Sequence, residues 1–276
     1  MLDYQLKGFG ELPVTFNTEA YLSRIGMEQA VPIDVAGLVS LHMAQAYSIP
    51  FENLDILLGR GIDISPDAVF TKLVDGKRGG YCFELNGLFI EALKTFGFEV
   101  RPLLARVHIS GEPTARTHKI CLVSFGEQKW LADVGFGANG LRAPIPLSSG
   151  FKSEQDGQTF RLVDDDTFGM MMQCQSAKGW LDLYSFDLGH VTPADVEMGN
   201  HYTSTHEKSI FTSMPMVTKP TMGGRVTLRQ DNLRIEGGKT VVDKKITKLR
   251  DYHAALGKHF GLEFTQGEVE QLFARC

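Results

Sequence analysis

Cys82 has the surroundings that most favour covalent chemistry in this 276-residue sequence. It follows Gly79 and Gly80, and it opens a stretch whose apolar residues recur at helical spacing. Glycines allow a sharp turn and leave room for a reactant near the sulfur. The free amide groups and the dipole at a helix start favour the thiolate, which is the reactive form of cysteine. A lone cysteine at such a position is more often a small buried apolar residue, so a nucleophile needs partners.

His118 and Asp133 are the candidate partners of that nucleophile. His118 begins one expected strand and Asp133 ends the next, with a turn near Phe125 and Gly126 between them. Facing residues of an antiparallel hairpin have numbers with a constant sum, so we expect His118 opposite Asp133 within a few positions. Singly, a strand histidine and an aspartate before a turn are more often structural. In this order, the three residues predict a nucleophile, a general base and a residue that orients the base.

A glycine-rich segment, residues 135–140, follows Asp133 directly. Its glycines could bring backbone N–H groups against a phosphate or thioester oxygen, and a plain surface turn is the alternative. The other histidines lack metal-ligand spacing and have no cysteine or carboxylate cluster beside them, so we predict no metal. His42 falls on an apolar helical face, where we expect a hydrogen-bonded core histidine.

Composition and charge argue against several classes of function. The chain carries 28 basic and 33 acidic residues, a net charge of −5, and no long basic run. We therefore predict no binding to nucleic acid or to an anionic membrane. The N-terminal residues lack the layout of a signal peptide, and no apolar run is long enough to span a bilayer. The scattered cysteines form no CxxC pair, which disfavours a disulfide scaffold and a zinc site and favours a cytoplasmic location.

The periodicity of apolar residues predicts an α+β protein with three regions. Residues 1–96 indicate helices that end before Pro50, Gly76 and Gly97. Residues 97–199 indicate antiparallel strands, because Val, Leu, Ile and Phe alternate with turn residues there. Residues 200–276 indicate a mixed α/β region. The expected strands cover residues 100–107, 118–125, 128–134, 159–163, 170–174, 225–228, 233–235 and 240–242, and the expected closing helices cover 252–260 and 268–274.

Several segments resemble the arylamine N-acetyltransferase family of bacterial type. PFEN at residues 50–53 is one, and RGGYCFELN at residues 78–86 is similar to the family's RGGxCxExN signature. Thr117-His118 resembles the family's histidine segment, and DVGFG at residues 133–137 resembles its aspartate segment. STH at residues 204–206 is a weaker match. The resemblance spans about residues 20–212 and leaves the C-terminal tail without a motif.

The resemblance implies a fold, a reaction and roles for individual residues. The fold would be an N-terminal helical bundle, a central antiparallel β-barrel and a C-terminal α/β lid, with a core like that of cysteine proteases. The reaction would be ping-pong transfer of acetyl from acetyl-CoA, through an acetyl-cysteine, to an arylamine, a hydrazine or the oxygen of an N-hydroxyarylamine, as in xenobiotic metabolism. The implied catalytic residues are Cys82, His118 and Asp133; Phe136 and Gly137 would meet the acceptor, and Gly135, Asn139, Gly140, His201 and Tyr202 would meet coenzyme A.

Other functions stay open at this point. A thiol hydrolase or a transglutaminase-like enzyme shares the order cysteine, histidine, aspartate, although the full RGGxCxExN segment disfavours both. An amide synthase of the same fold would use a larger acyl thioester. A binding protein could also have kept the scaffold without catalysis.

Glu52 and Arg78 are charged residues inside the two motif segments that precede Cys82. A buried charge must be paired, and the planar guanidinium of arginine suits a carboxylate. We therefore predict that Glu52 and Arg78 pair and fix the cysteine loop onto the helical bundle.

Overall fold

A computed structural model describes residues 16–238 and 240–276 of the chain. The N-terminal residues 1–15, whose layout bears on a signal peptide, lie outside the described part. Within the described residues, no helix is long and apolar enough to cross a membrane.

The first region is helical, as predicted. The side chains of Asn17 and Asp34 accept hydrogen bonds from backbone N–H groups in the first turns of α1 and α2, so each helix begins at a polar N-cap. The elements are α1 (Thr18–Arg24), α2 (Val35–Ser48), a short strand β1 (Phe51–Glu52), α3 (Leu54–Leu57), α4 (Pro66–Phe70), a π-helical turn (Thr71–Asp75) and α5 (Cys82–Thr95).

The second region is an antiparallel sheet that nearly closes into a barrel. Its strands are β2 (Glu99–Val107), β3 (Arg116–Phe125), β4 (Gln128–Ala132), β5 (Ile145–Pro146), β6 (Lys152–Gln155), β7 (Gln158–Asp165), β8 (Gly169–Ser176) and β9 (Gly179–Phe186). Their spatial order is β5-β4-β3-β2-β9-β8-β7-β6. Side chains such as Leu103, Ile120 and Leu162 form its apolar core. The five strands expected here are confirmed as β2, β3, β4, β7 and β8, whereas β5, β6 and β9 were not predicted.

The third region combines helices with a second antiparallel sheet. Its elements are α6 (Pro193–Thr205), α7 (Ile210–Ser213), β10 (Met216–Thr221), β11 (Gly224–Arg229), β12 (Asn232–Gly237), β13 (Thr240–Lys245), α8 (Leu249–Ala255), a π-helical turn (Leu256–Phe260) and α9 (Gln266–Phe273). The predicted strands near 225, 233 and 240 and both closing helices are confirmed. The sheet order is β1-β10-β11-β12-β13, so Glu52 of the first region pairs with Val217. The segment beside the cysteine loop is therefore part of the C-terminal sheet.

Helix α6 was not predicted, and it runs across residues 199 and 200, where the sequence suggests a domain boundary. Thr192 caps this helix, because its hydroxyl accepts from the Asp195 N–H while the Asp195 carboxylate accepts from the Thr192 N–H. Pro193 occupies the first turn. The capping residues of α6 were therefore recognisable in the sequence. The helical spacing of apolar residues was not, because the buried face of α6 includes small and polar residues: Gly199, Asn200 and Thr203.

The predicted pair between Glu52 and Arg78 is confirmed. Arg78 Nη2 lies 3.1 Å from Glu52 Oε1 and 3.0 Å from Asp55 Oδ1, and the Glu52 side chain is fully buried. Lys72 bridges Asp55 and Glu84 at 2.9 and 2.7 Å. Glu84 lies in the first turn of α5, so this buried ion-pair network connects β1 and α3 to the helix that begins at Cys82.

Candidate active site

Cys82 is the first residue of α5, as predicted, and its side chain is almost fully buried. The Tyr81 N–H donates to Glu84 Oε2 at 3.1 Å, which closes the helix N-terminus one residue before the cysteine. The glycines before it also have a packing role that the sequence did not predict. A Cβ on Gly79 would lie 2.4 Å from the Pro50 carbonyl oxygen, and a Cβ on Gly80 would lie 2.8 Å from Glu84 Oε2. Gly79 lets the Pro50 backbone approach and Gly80 lets the Glu84 side chain fold back, and this packing holds the turn before Cys82.

His118 and Asp133 meet, as predicted, with His118 Nε2 2.8 Å from Asp133 Oδ2. The register differs from a simple continuation of the hairpin. Pairing between β3 and β4 ends at Cys121 and Ala132, and a continued ladder would place Gly135 opposite His118. The chain instead leaves the strand after Ala132, and the Asp133 side chain reaches across to the imidazole. Cys82 lies beside this imidazole: its sulfur is 3.8 Å from the carbonyl oxygen of Thr117, the residue before His118, and interaction with Cys82 contributes to the raised pKa of His118.

Asn86 was not predicted as a site residue, yet it holds Asp133 in place. One turn of α5 after Cys82, its side-chain amide donates to Asp133 Oδ1 at 2.9 Å and to the Lys119 carbonyl oxygen at 2.7 Å. Its side-chain oxygen accepts from the Val134 N–H at 3.0 Å. The Asn in RGGYCFELN was the available signal, but its partners come from distant strands. Asn86 therefore sets the position of the carboxylate relative to the cysteine.

His42 is the buried, hydrogen-bonded core histidine that the sequence predicted. Its Nε2 accepts from the backbone N–H of Asp133 at 3.2 Å, so Nδ1 carries the proton and donates to the Arg142 carbonyl oxygen at 3.3 Å. Burial lowers the pKa of His42 to about 4, which keeps this imidazole neutral. The sequence did not place it beside the aspartate.

The electrostatics of the site favour a protonated His118. Burial alone lowers the pKa of His118, but the nearby Asp133 carboxylate outweighs burial and raises it to about 10. Burial likewise raises the pKa of Asp133, and the imidazolium and its hydrogen-bond donors outweigh burial and lower it. At neutral pH the pair is an imidazolium and a carboxylate. Cys121, a buried cysteine outside this pair, has a pKa raised far above its usual range by burial, so it stays a thiol.

The segment after Asp133 packs directly against the catalytic candidates. A Cβ on Gly135 would lie 2.9 Å from the Cys82 Cα, so only glycine fits there. The half-buried Phe136 ring lies 5.0 Å from the His118 ring and 5.0 Å from the Tyr184 ring. Gly137 has φ of +84°, a conformation that suits glycine. The structure thus brings Gly135 and Phe136 to the site, together with Tyr184, which was not predicted and whose ring lies 5.1 Å from His118.

Comparison with known proteins decides the family. A family model described as N-acetyltransferase matches residues 34–269. The arylamine N-acetyltransferase of Escherichia coli strain K12 is 35% identical over 246 residues, which is 88% of this chain and 87% of the relative.

The chain belongs to the arylamine N-acetyltransferase family. The resemblance in its motifs is therefore confirmed. A Salmonella typhimurium protein named arylamine N-acetyltransferase / N-hydroxyarylamine O-acetyltransferase is 34% identical over 266 residues, 92% of this chain and 94% of the relative. The solved structure of a Salmonella typhimurium arylamine N-acetyltransferase superposes with a TM-score of 0.90 at 33% identity, covering 95% of this chain and 99% of that one. That of the Mycobacterium marinum enzyme in complex with CoA gives 0.88 at 31%, covering 94% and 100%.

The remaining site candidates of this N-acetyltransferase make other contacts. Asn139 Oδ1 accepts from Arg225 Nη1 at 2.8 Å, and the Gly140 N–H donates to the Gly137 carbonyl oxygen at 3.0 Å. His201 and Tyr202 lie on the exposed side of α6, where the Tyr202 ring stacks on His206 at 4.4 Å. Among the described residues, the structure gives His201 and Tyr202 no contact with the triad.

A metal site is also absent from the described part of this family member. No group of three or more His, Cys, Asp or Glu side chains there could hold a metal ion. The absence of a metal from the reaction stays a prediction.

Proposed function

We propose that this enzyme transfers an acetyl group from acetyl-CoA to an aromatic amine or hydrazine, or to the oxygen of an N-hydroxyarylamine, through an acetyl-Cys82 intermediate. One observation carries the proposal: Cys82 at the start of α5 lies beside His118, whose imidazole is paired with Asp133 at 2.8 Å. The names of the relatives support the acceptor class, and the neighbour solved with CoA supports the donor.

In the first half-reaction, the Cys82 thiolate attacks the carbonyl carbon of the thioester and forms a new carbon–sulfur bond. His118 has received the cysteine proton, and it donates a proton to the departing coenzyme A sulfur. Asp133 stabilises the imidazolium and holds the ring so that its free nitrogen faces Cys82. The products of this step are acetyl-Cys82 and free coenzyme A.

In the second half-reaction, the amine nitrogen attacks the acyl carbon of acetyl-Cys82. His118, now neutral, accepts a proton from that nitrogen as the bond forms. The bond to sulfur breaks, and Cys82 leaves as a thiolate beside the imidazolium. Both groups are then ready for another acetyl-CoA, so one pair of groups serves both half-reactions.

Substrate contacts follow from the position of residues 135–140. Phe136 stands beside His118, where an aromatic acceptor would pack against it, and Gly137 leaves room for that ring. The backbone of Gly135 and Gly140 would meet the thioester or phosphate oxygens of the donor. His201 and Tyr202 are exposed on α6, and we assign them to the distal part of coenzyme A.

The three-domain organisation is also part of the proposal. Residues 1–96 supply Cys82 on a helix, residues 97–199 supply His118 and Asp133 near the ends of β3 and β4, and residues 200–276 form a lid. A cysteine on a helix with histidine and a polar residue behind it is also the arrangement of papain-like proteases, and we propose a shared core. The four unpaired cysteines are consistent with the reducing cytoplasm.

Transfer from an isolated acyl-enzyme tests this function. The enzyme is mixed with acetyl-CoA, separated from free coenzyme A, and divided between buffer and buffer with an arylamine or arylhydrazine. We expect the acetyl group to appear on the acceptor much faster than as acetate. Rapid release of acetate without an acceptor would indicate a hydrolase. Acylation only by a larger acyl thioester would indicate an amide synthase.

A further inference from the structure

Arg225 on β11 is bound to the segment that follows the catalytic aspartate. Its Nη1 donates to the Ala138 carbonyl oxygen at 2.7 Å and to Asn139 Oδ1 at 2.8 Å. Its Nε donates to Glu236, the residue directly opposite on β12. The Arg225 guanidinium therefore hydrogen bonds to the C-terminal sheet through Nε and to the loop formed by residues 136–140 through Nη1.

The loop has a second polar anchor at its far end. Gln155 Oε1 accepts from the Arg142 and Ala143 N–H groups at 2.8 and 3.1 Å, and Gln155 Nε2 donates to the Ala143 carbonyl oxygen at 2.9 Å. Gln155 belongs to the barrel and fixes residues 142–143. Arg225 binds nearer to Phe136, at residues 138–139, and it links the loop to the C-terminal sheet.

Apolar packing does not fill the space between this loop and the C-terminal sheet. A cavity lies there, lined partly by Gly137, Gly140, Thr218 and Pro220, with about 20 Å³ of room for the centres of water molecules. That room suits about one water molecule. Directed contacts hold the loop beside this cavity: Arg142 Nη1 donates to the Gly140 carbonyl oxygen at 2.7 Å from within the loop segment, and Arg225 supplies two hydrogen bonds from the C-terminal sheet.

We infer that Arg225 is a positioning residue that fixes residues 136–140 for substrate, and that Asn139 acts as the acceptor for Arg225 instead of binding coenzyme A through its side-chain oxygen. The inference rests on the proposed function, in which this loop meets both substrates. The Asn139 oxygen is already used by a guanidinium that Glu236 also holds. If Arg225 and Asn139 act together on the loop geometry, substituting both should weaken acetyl-CoA binding no more than substituting Arg225 alone.

Rapid-quench acetylation of Cys82 by acetyl-CoA, without acceptor, tests the inference. The variants are Arg225→Gln, Asn139→Ala and the double variant, with Arg229→Gln as the control because it removes an exposed positive charge from the same strand. We expect Arg225→Gln to raise the half-saturating acetyl-CoA concentration about tenfold, with a limiting rate within about threefold of wild type. Asn139→Ala should give a smaller rise, and the double variant should match Arg225→Gln.

Three outcomes would overturn the inference. Multiplied effects in the double variant would mean that Asn139 binds the donor independently. Full recovery by Arg225→Lys would assign the effect to charge attraction, because lysine keeps the charge but lacks the fork that holds two acceptors. An Arg225→Gln variant as active as Arg229→Gln would leave Arg225 with no role in positioning.

Hydrogen exchange of the loop gives a readout that is independent of catalysis. Amides in residues 136–141 should exchange faster in Arg225→Gln and in Asn139→Ala than in wild type or Arg229→Gln. Unchanged exchange would contradict the inference. If wild type fails to acetylate Cys82, the proposed function is wrong, and the exchange result alone decides whether Arg225 fixes the loop.

Discussion

Two buried histidines contact different atoms of Asp133. His118 contacts a carboxylate oxygen and has its pKa raised to about 10, whereas His42 contacts the backbone N–H and has its pKa lowered to about 4. Burial lowers the pKa of both rings. The difference comes mainly from the Asp133 carboxylate, which stabilises a proton on His118. His42 instead accepts a hydrogen bond from the Asp133 N–H, and burial dominates its pKa.

The comparison separates a ring suited to proton transfer from a ring suited to support. His118 lies beside Cys82, and its raised pKa favours the imidazolium that the proposed proton transfer requires. His42 is a neutral hydrogen-bond acceptor that orients the Asp133 backbone. The same aspartate therefore has one neighbour that fits the proposed catalytic role and one that supports its backbone.

Asp133→Asn should lower turnover more than any other change, because it removes the carboxylate charge that distinguishes the surroundings of His118 from those of His42. We expect turnover to fall about 10⁴-fold, as in a serine-protease triad where the corresponding change stabilises the wrong imidazole tautomer. The variant should stay folded, since the amide fits the same space. Steady-state kinetics with circular dichroism as a folding control measure this. Near-normal turnover would mean that Asp133 does not orient His118.

Asn86→Ala tests the position of the Asp133 carboxylate separately from its charge, because it removes a hydrogen bond to the carboxylate and leaves the carboxylate in place. The change deletes a 2.9 Å hydrogen bond to Asp133 Oδ1 and strands the Val134 N–H. We expect turnover to fall about tenfold to a hundredfold, and stability to fall by about 1–3 kcal/mol. Asn86→Asp is the matched control for side-chain volume, and it should also be impaired because two carboxylates would meet. Full activity in Asn86→Ala would exclude this positioning role.

Phe136→Ala tests the catalytic side alone, since the ring contacts His118 and not His42. We expect the ratio of turnover between a bulky and a small arylamine to change roughly tenfold. The rate of acetylation of Cys82 should stay close to normal. Competition assays with paired acceptors, alongside single-turnover acylation, measure both quantities. A uniform loss for every acceptor, or a failure to acylate, would assign Phe136 to the core.

His42→Gln should have the smallest effect on turnover, because glutamine can still accept a hydrogen bond from Asp133. The pH dependence of stability should change more. The lowered pKa of His42 contributes stability above its unfolded value of about 6.5, and this contribution is lost as pH falls through about 4. Between those two pH values, the free energy of unfolding of His42→Gln should therefore fall less steeply with decreasing pH than that of wild type.

The alkaline side should depend on His118 instead. Its raised pKa contributes stability fully below about 6.5, and this contribution is lost as pH rises through about 10. Urea unfolding across the pH range measures both slopes, with the exposed His190→Gln as control. If the free energy of unfolding of His42→Gln fell with acid as steeply as that of wild type, the lowered pKa of His42 would be contradicted.

Local patterns in the sequence predicted much of the fold and the core of the site. The helical spacing of apolar residues after two glycines placed Cys82 at a helix start. The constant sum of paired residue numbers in a hairpin placed His118 near Asp133. The register was shifted because the chain leaves the strand after Ala132, and a constant-sum rule assumes that the strand continues. Periodicity also missed α6, whose buried face includes polar and small residues.

Residues that act through distant partners could not be predicted in the same way. Asn86 reaches Lys119 and Val134, and Arg225 reaches residues 138–139 from another sheet. Nothing local in the sequence indicates which backbone group such a side chain will meet. The glycines before Cys82 were recognised, but the close approach of Pro50 that requires Gly79 depends on tertiary packing.

Intact-protein mass spectrometry after mixing with acetyl-CoA, in the absence of acceptor, tests the central claim most directly. The structure holds three other cysteines, of which Cys121 is buried and has a pKa that burial raises far above its usual range, so it stays a thiol. We expect a mass increase of one acetyl group on wild type and on Cys276→Ser, no increase on Cys82→Ser, and peptide mapping of the adduct to Cys82. Acetylation that persists on Cys82→Ser would contradict the account.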